Sequence, residues 1–142
     1  HRFFYCLLAV ATSAFVLAAS EPSEELSLCE AKLRQGLAAN NKDDTLAAAE
    51  KLVSLAKQLQ QTQPDRACDS FELASQGFRL AHHYRRAAEL LKAVADRRER
   101  ERQAGNTQLS GLVSSLHQSG ECWELLGDFP QALFQYRRAL SF

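Results

Sequence analysis

Apolar residues recur every three or four positions along most of this chain, in six stretches parted by short polar or glycine-containing breaks. That spacing is the period of a helix with one buried face. From Glu24 to Ala39 the pattern runs through Leu26, Cys29, Leu33 and Leu37. It breaks at Asn40-Asn41-Lys42-Asp43-Asp44, where Asp44 is a candidate N-cap for the next helix. That second helix continues to about Gln61 with Ala48, Leu52, Leu55 and Leu59 on one face, and Pro64 forces it to close.

A third helix over 66–81 shows Phe71, Ala74 and Phe78, and ends through Leu80-Ala81. The fourth starts at His83-Tyr84, carries Ala87, Leu91, Val94 and Ala95, and stops at Gly105-Asn106. The fifth, over 107–126, runs through Leu109, Leu112, Leu116 and Trp123. The sixth opens on Asp128 as N-cap, tolerates Pro130 in its first turn, and places Phe129, Ala132, Tyr136 and Ala139 on one face. Short breaks make consecutive helices antiparallel neighbours, which predicts helix pairs at 24–61, 66–103 and 107–142. A lone pair of this kind cannot bury its apolar face, so a stack of them is expected.

The chain repeats itself. Shifted so that Phe71 meets Leu116, it also pairs Phe78 with Trp123, Tyr84 with Phe129, Ala87 with Ala132, Leu91 with Tyr136 and Val94 with Ala139. A second shift pairs Ala39 with Phe78, Thr45 with Tyr84, Ala48 with Ala87, Leu52 with Leu91 and Leu55 with Val94. The same slots are filled three times by small or apolar residues. Alanine lets two helices approach, and an aromatic one turn away fills the remaining gap.

These residues carry a resemblance. The last unit resembles a tetratricopeptide repeat (TPR): Gly120, Trp123, Gly127-Asp128-Phe129, Ala132, Tyr136 and Ala139-Leu140 fall where that motif has Gly, aromatic, Gly-Asp-Tyr, Ala, aromatic and Ala-Leu. Ser119 departs from its usual Leu. The 68–101 unit matches more loosely through Phe71, Ala74, Ser75, Phe78, Tyr84, Ala87 and Leu91, and the 29–62 unit rests on Gly36, Ala39 and Ala48. The usual repeat is about 34 residues; the longer spacing here is similar to that of the kinesin-light-chain-like branch. The resemblance implies an all-α fold of antiparallel helical hairpins, stacked over 21–142 as a short right-handed α-solenoid.

The resemblance also implies a site, because the first helix of each TPR hairpin lines a concave groove that holds partner peptides. Carried over position by position, the groove presents Asp69, Glu72, Gln76 and Arg79 from the middle unit, and Ser114, His117, Glu121 and Glu124 from the last. Its acidic bias suits a basic or polar partner segment.

Residues 1–20 read differently. His1 and Arg2 precede an uncharged apolar run over 3–19 that ends Ala18-Ala19-Ser20 and turns acidic at Glu21. A basic start, an apolar centre and small residues at the end make a signal peptide cut after Ser20, with a membrane anchor over 3–19 as the alternative. The expectation is an exported protein, periplasmic or extracellular. Export leaves Cys29, Cys68 and Cys122, an odd set; free buried thiols and a Cys29–Cys68 bridge both remain open. The chain holds no Met, and Leu140-Ser141-Phe142 ends inside the helical pattern, so a continuation beyond 142 is expected.

Composition narrows the function. With 142 residues, 6 Gly and 3 Pro, the chain makes one helix-rich domain. Its 17 basic and 17 acidic residues cancel, which speaks against nucleic acid as a partner. His82 and His83 are adjacent, so on a helix they point about 100° apart and cannot share a site. His117 with Ser114, Ser115 and Glu121 lies on one helix, without a strained nucleophile turn or an oxyanion hole. The run Asp96–Arg102 alternates in sign and reads as a solvated helix face with Asp96–Arg100 and Arg97–Glu101 pairs. No cofactor, metal or small-molecule motif appears. The expected function is a non-catalytic scaffold that binds a protein or peptide; the alternative is the docking region of a longer signalling protein or enzyme.

Overall fold

The computed structural model describes residues 21–105 and 109–142; the expected signal peptide lies outside the described residues, as does the start of the fifth helix. Among the described residues there are six helices and no strand: α1 (Pro22–Ala38), α2 (Lys42–Leu59), α3 (Pro64–Leu80), α4 (Tyr84–Gln103), α5 (Leu109–Leu125) and α6 (Phe129–Leu140). Each helix packs on its neighbours in sequence, and α1 also packs on α3. No extended contact brings α6 back to α1, so the hairpins form an open stack and not a closed bundle.

The same turn closes all three hairpins. Asn40, His82 and Gly127 adopt positive φ of 52°, 62° and 77°. The amide after each donates back across the turn, Asn41 to Gly36 at 3.0 Å, His83 to Phe78 at 2.7 Å and Asp128 to Trp123 at 2.9 Å. This is the Schellman closure, in which a left-handed residue lets the chain cap the carbonyls of the helix it leaves. Asn41 and Asp128 then cap the following helices by accepting from the amides of Asp44 and Gln131, both at 3.2 Å. The expected cap Asp44 instead lies in the first turn of α2, where its charge favours the helix N-terminus.

The turns fix the repeat register and correct the sequence comparison. Gly36, Phe78 and Trp123 occupy one slot, and Thr45, Ala87 and Ala132 another; all of the latter are buried. The pairing of the last two units therefore stands, but the first unit had slipped by three residues when Ala39 was set against Phe78. Such a slip is nearly one turn, so it keeps apolar residues facing apolar residues. Thr45 thus takes the slot opposite Ala87 that had been given to Ala48, and on this helix Ala49 is fully buried while Ala48 is half-buried.

Leu26, Leu33, Leu52, Phe78 and Leu91, all at most 1% exposed, anchor a core that runs from α1 to Ala132 of α6. Close approach depends on small residues. A Cβ added to Gly36 would lie 2.5 Å from Thr45 Oγ1, and one on Gly120 would lie 2.5 Å from Tyr136 Cε1. Cys29, Cys68 and Cys122 are all buried free thiols, so Cys29 and Cys68 are not bridged. The Cys29 thiol donates to the Ala48 carbonyl at 3.2 Å. Burial pushes all three thiols above the ordinary cysteine range.

Candidate functional site

The first helices, α1, α3 and α5, are laced together by polar side chains along one face. Between α1 and α3, Ser70 donates to Glu30 at 2.9 Å, and Arg66 donates to the Ser23 carbonyl at 3.1 Å and to Ser27. Between α3 and α5, Arg79 reaches Glu121 at 3.1 Å and Gln118 at 3.4 Å. The eight residues expected to line a groove lie on this face, at matching slots of α3 and α5.

Most of them are already engaged: Arg79, His117 and Glu121 with one another, and Asp69, Glu72, Ser114 and Glu124 with residues outside the eight. Glu72 is held by Arg98, which donates to it through both terminal nitrogens, one at 2.8 Å, and Ser115 donates to it at 2.9 Å. The same guanidinium donates to the Gly111 carbonyl at 3.1 Å and lies 3.7 Å from Asp69. Its hydrogen bonds to Glu72 raise the Arg98 pKa further, so the charge is permanent. Glu121 sits between Arg79 and His117, the latter also at 3.1 Å. Glu124 accepts from the Tyr136 hydroxyl at 2.8 Å. Gln76 is exposed, and exposed Ser114 takes a hydrogen bond from Gln118 at 2.9 Å.

Arg98 is the residue that sequence reasoning missed. It belongs to α4, inside the run read as a solvated face, yet its side chain is only 17% exposed. Arg97–Glu101 forms as expected at 2.9 Å, but Asp96 pairs with Lys92 at 3.4 Å and with Arg138 of α6 at 3.0 Å, not with Arg100. Arg138 also binds Glu99 at 2.7 Å. The run thus ties three helices together. Its signal was length: α4 is the longest of the described helices, and it packs along α5.

A cleft of about 400 Å³ opens between α3 and α5, lined by Glu72, Gln76, Arg98, Ser110, Gly111, Ser114 and Gln118. Its walls offer carboxamides, hydroxyls and one ion pair, a set that can hydrogen-bond a polar chain. Asp69, with its side chain 75% exposed, and Glu124, also exposed, flank the face and are its least-tied carboxylates. Ser115 turns into the Glu72–Arg98 pair and away from His117, so no Ser/His pair forms. Among the described residues no group of three His, Cys, Asp or Glu could hold a metal. Trp123 is 7% exposed beneath Arg85, with its ring in the core, so it packs and does not face the cleft.

Tyr136 gives this end of the face a readable titration. Desolvation and the hydrogen bond to Glu124 push its phenol up to about 12. A free tyrosine ionises near 10. The folded value lies above the unfolded one, so its contribution to stability is complete below about pH 10 and is lost as pH rises through about 12. Phenolate absorbance should show one tyrosine titrating last, and Tyr136→Phe should remove that step.

Stacked antiparallel hairpins with this repeated turn and small-residue register define a helical repeat of the TPR type. The fold matches the crystal structure of the TPR domain of Arabidopsis FLU with a TM-score of 0.66, at 16% identity, over 85% of this chain and 96% of that one. No protein-family model and no curated protein matches the sequence.

Proposed function

We propose that this chain is an exported, non-catalytic TPR-type scaffold that holds a basic or polar protein segment along α1, α3 and α5. The observation that carries the reading is the cleft between α3 and α5, whose polar walls are braced from behind by Arg98 and flanked by Asp69 and Glu124. Across the α3–α5 face, carboxylates at Asp69, Glu72, Glu121 and Glu124 outnumber the guanidinium groups of Arg79 and Arg98. Such an excess favours positive segments and speeds their encounter at low salt. Export rests on the basic-then-apolar pattern of residues 1–20. Among the described residues no helix is long and apolar enough to cross a membrane.

The test is an array of soluble peptides probed with the full chain and with an Asp69→Lys/Glu124→Lys variant. Both positions are exposed, so the variant should keep its helical circular dichroism. The wild-type chain is expected to retain Lys- and Arg-rich peptides, and the variant to lose them about tenfold or more. Retention of the same peptides by both proteins would overturn the acidic-face reading. Export is checked separately by fusing residues 1–20 to a reporter enzyme; a reporter that stays inside the cell would remove that part.

A further inference from the structure

A groove of about 720 Å³ opens between α1 and α2 at the first end of the stack, apart from the polar cleft between α3 and α5. Small-molecule sites commonly enclose about 300 to 1,000 Å³, with apolar walls and a few convergent polar groups. The floor here is flat, because Cys29, Gly36, Ala39, Ala47 and Ala48 carry nothing longer than a thiol. Lys32 and Lys51 stand at its rim, one on each helix. No sequence motif announces the groove, since two separate helices make it.

Those two cations are available. Burial pushes the Cys29 thiol up, and the charges that oppose it are Lys51 and then Lys32, so both ammonium groups stand near that thiol. Both lysines are exposed, and among the described residues neither enters an ion pair. The acids nearby are already engaged: Asp44 accepts from the Asn41 carboxamide at 2.8 Å, Glu30 accepts from Ser70 at 2.9 Å, and Glu25 is not free. Gly36 gives the groove its second property. Its slot in the other hairpins holds Phe78 and Trp123, each beneath a guanidinium, Arg86 at 5.0 Å and Arg85 at 5.5 Å. The fold thus seats an aromatic ring under a cation twice at this slot. In the first hairpin it supplies cations, with Lys32 one turn before Gly36, and no ring.

We propose that the groove between α1 and α2 binds a small aromatic carboxylate, with its ring on Gly36 and Ala48 and its carboxylate between Lys32 and Lys51. The flat floor favours a planar ring, which also offers its face to a lysine. The two ammonium groups fix the orientation through charge-assisted hydrogen bonds. An aliphatic acid brings the charge without the flat face. An aromatic amine brings the face with the wrong charge.

The probe is naphthoate, which is fluorescent and is titrated with the full chain at low salt. Saturable binding is expected, with naphthylmethylamine and octanoate each about tenfold weaker or more. Lys32→Gln together with Lys51→Gln, both at exposed positions, should weaken naphthoate about tenfold or more and leave the thermal unfolding curve in place. Ala47→Trp, also at an exposed position, puts the chain's own indole in the groove and should block the ligand. Asp69→Lys with Glu124→Lys, on the polar face, should leave naphthoate binding unchanged, which separates this site from the peptide-binding face. Backbone-amide NMR shifts should centre on Gly36 and Ala48. No saturable binding, equal binding of the amine or of octanoate, or binding that survives the double lysine substitution would overturn the proposal. So would shifts confined to the exposed aromatic residues of α6, Phe129 and Phe134.

Discussion

Phe78→Ala should destabilise the chain by about 3 to 5 kcal/mol, the range for emptying a fully buried aromatic position. Phe78 is 0% exposed and is the largest of the fully buried side chains. Arg86 lies over its ring at 5.0 Å, and His83 stacks on it at 6.4 Å across the turn. A close-packed interior cannot collapse into the space without moving its helices. The ring belongs to the middle hairpin, which contacts both of the others, so its loss weakens both junctions. Urea unfolding followed by helical circular dichroism and by the fluorescence of the single Trp should shift together. A loss below about 1 kcal/mol would show that the aromatic slot is not a packed one.

That slot also shows how far the sequence could be read. Phe78 and Trp123 are aromatic, both pack, and their equivalence was visible because aromatic-to-alanine spacing survives in both units. The first unit has Gly36 in the same slot, with Thr45 closing against it. Without the aromatic there was nothing to pin the register, and a slip of nearly one turn kept the apolar pattern intact. Helix existence was therefore legible, and register only where a bulky residue marked it.

Burial by the next element was not legible at all. Phe129 shares a helical face with Ala132 and Tyr136 in the sequence pattern, yet it is 64% exposed. Its neighbour at the equivalent slot, Tyr84, is half-buried. A helix pattern reports that a face is apolar, not whether another helix covers it.

The candidate site was legible in position and not in charge. The eight residues do share the face formed by the first helices, since slots on α3 and α5 follow from helical spacing. Their acidity is reduced by Arg98, and no periodicity rule sends a residue from a charge-alternating run into a neighbouring hairpin. Charged runs are solvated unless a helix outlasts its partner, as α4 does. The longest of the described helices brings its cation over the joint.

Arg98→Ala should therefore have opposite effects on stability and on binding. The substitution removes both donors to Glu72 and the bond to the Gly111 carbonyl, and it leaves Glu72 beside Asp69 with only Ser115 as a donor. Breaking a fully buried pair costs about 3 to 5 kcal/mol. Glu72 is 28% exposed and can recover part of its hydration, so about 2 kcal/mol is expected. Glu72→Gln in the same background should restore part of the loss, giving a coupling energy of at least about 1 kcal/mol in a double-mutant cycle. Binding should move the other way. With one guanidinium removed, the face keeps all four carboxylates, so Lys- and Arg-rich peptides should bind a few-fold more tightly at low salt, and the gain should fade as salt rises. A merely structural Arg98 would lower stability and binding together. A fall in both, or a gain that salt does not erase, would show that Arg98 does not set the charge of this face.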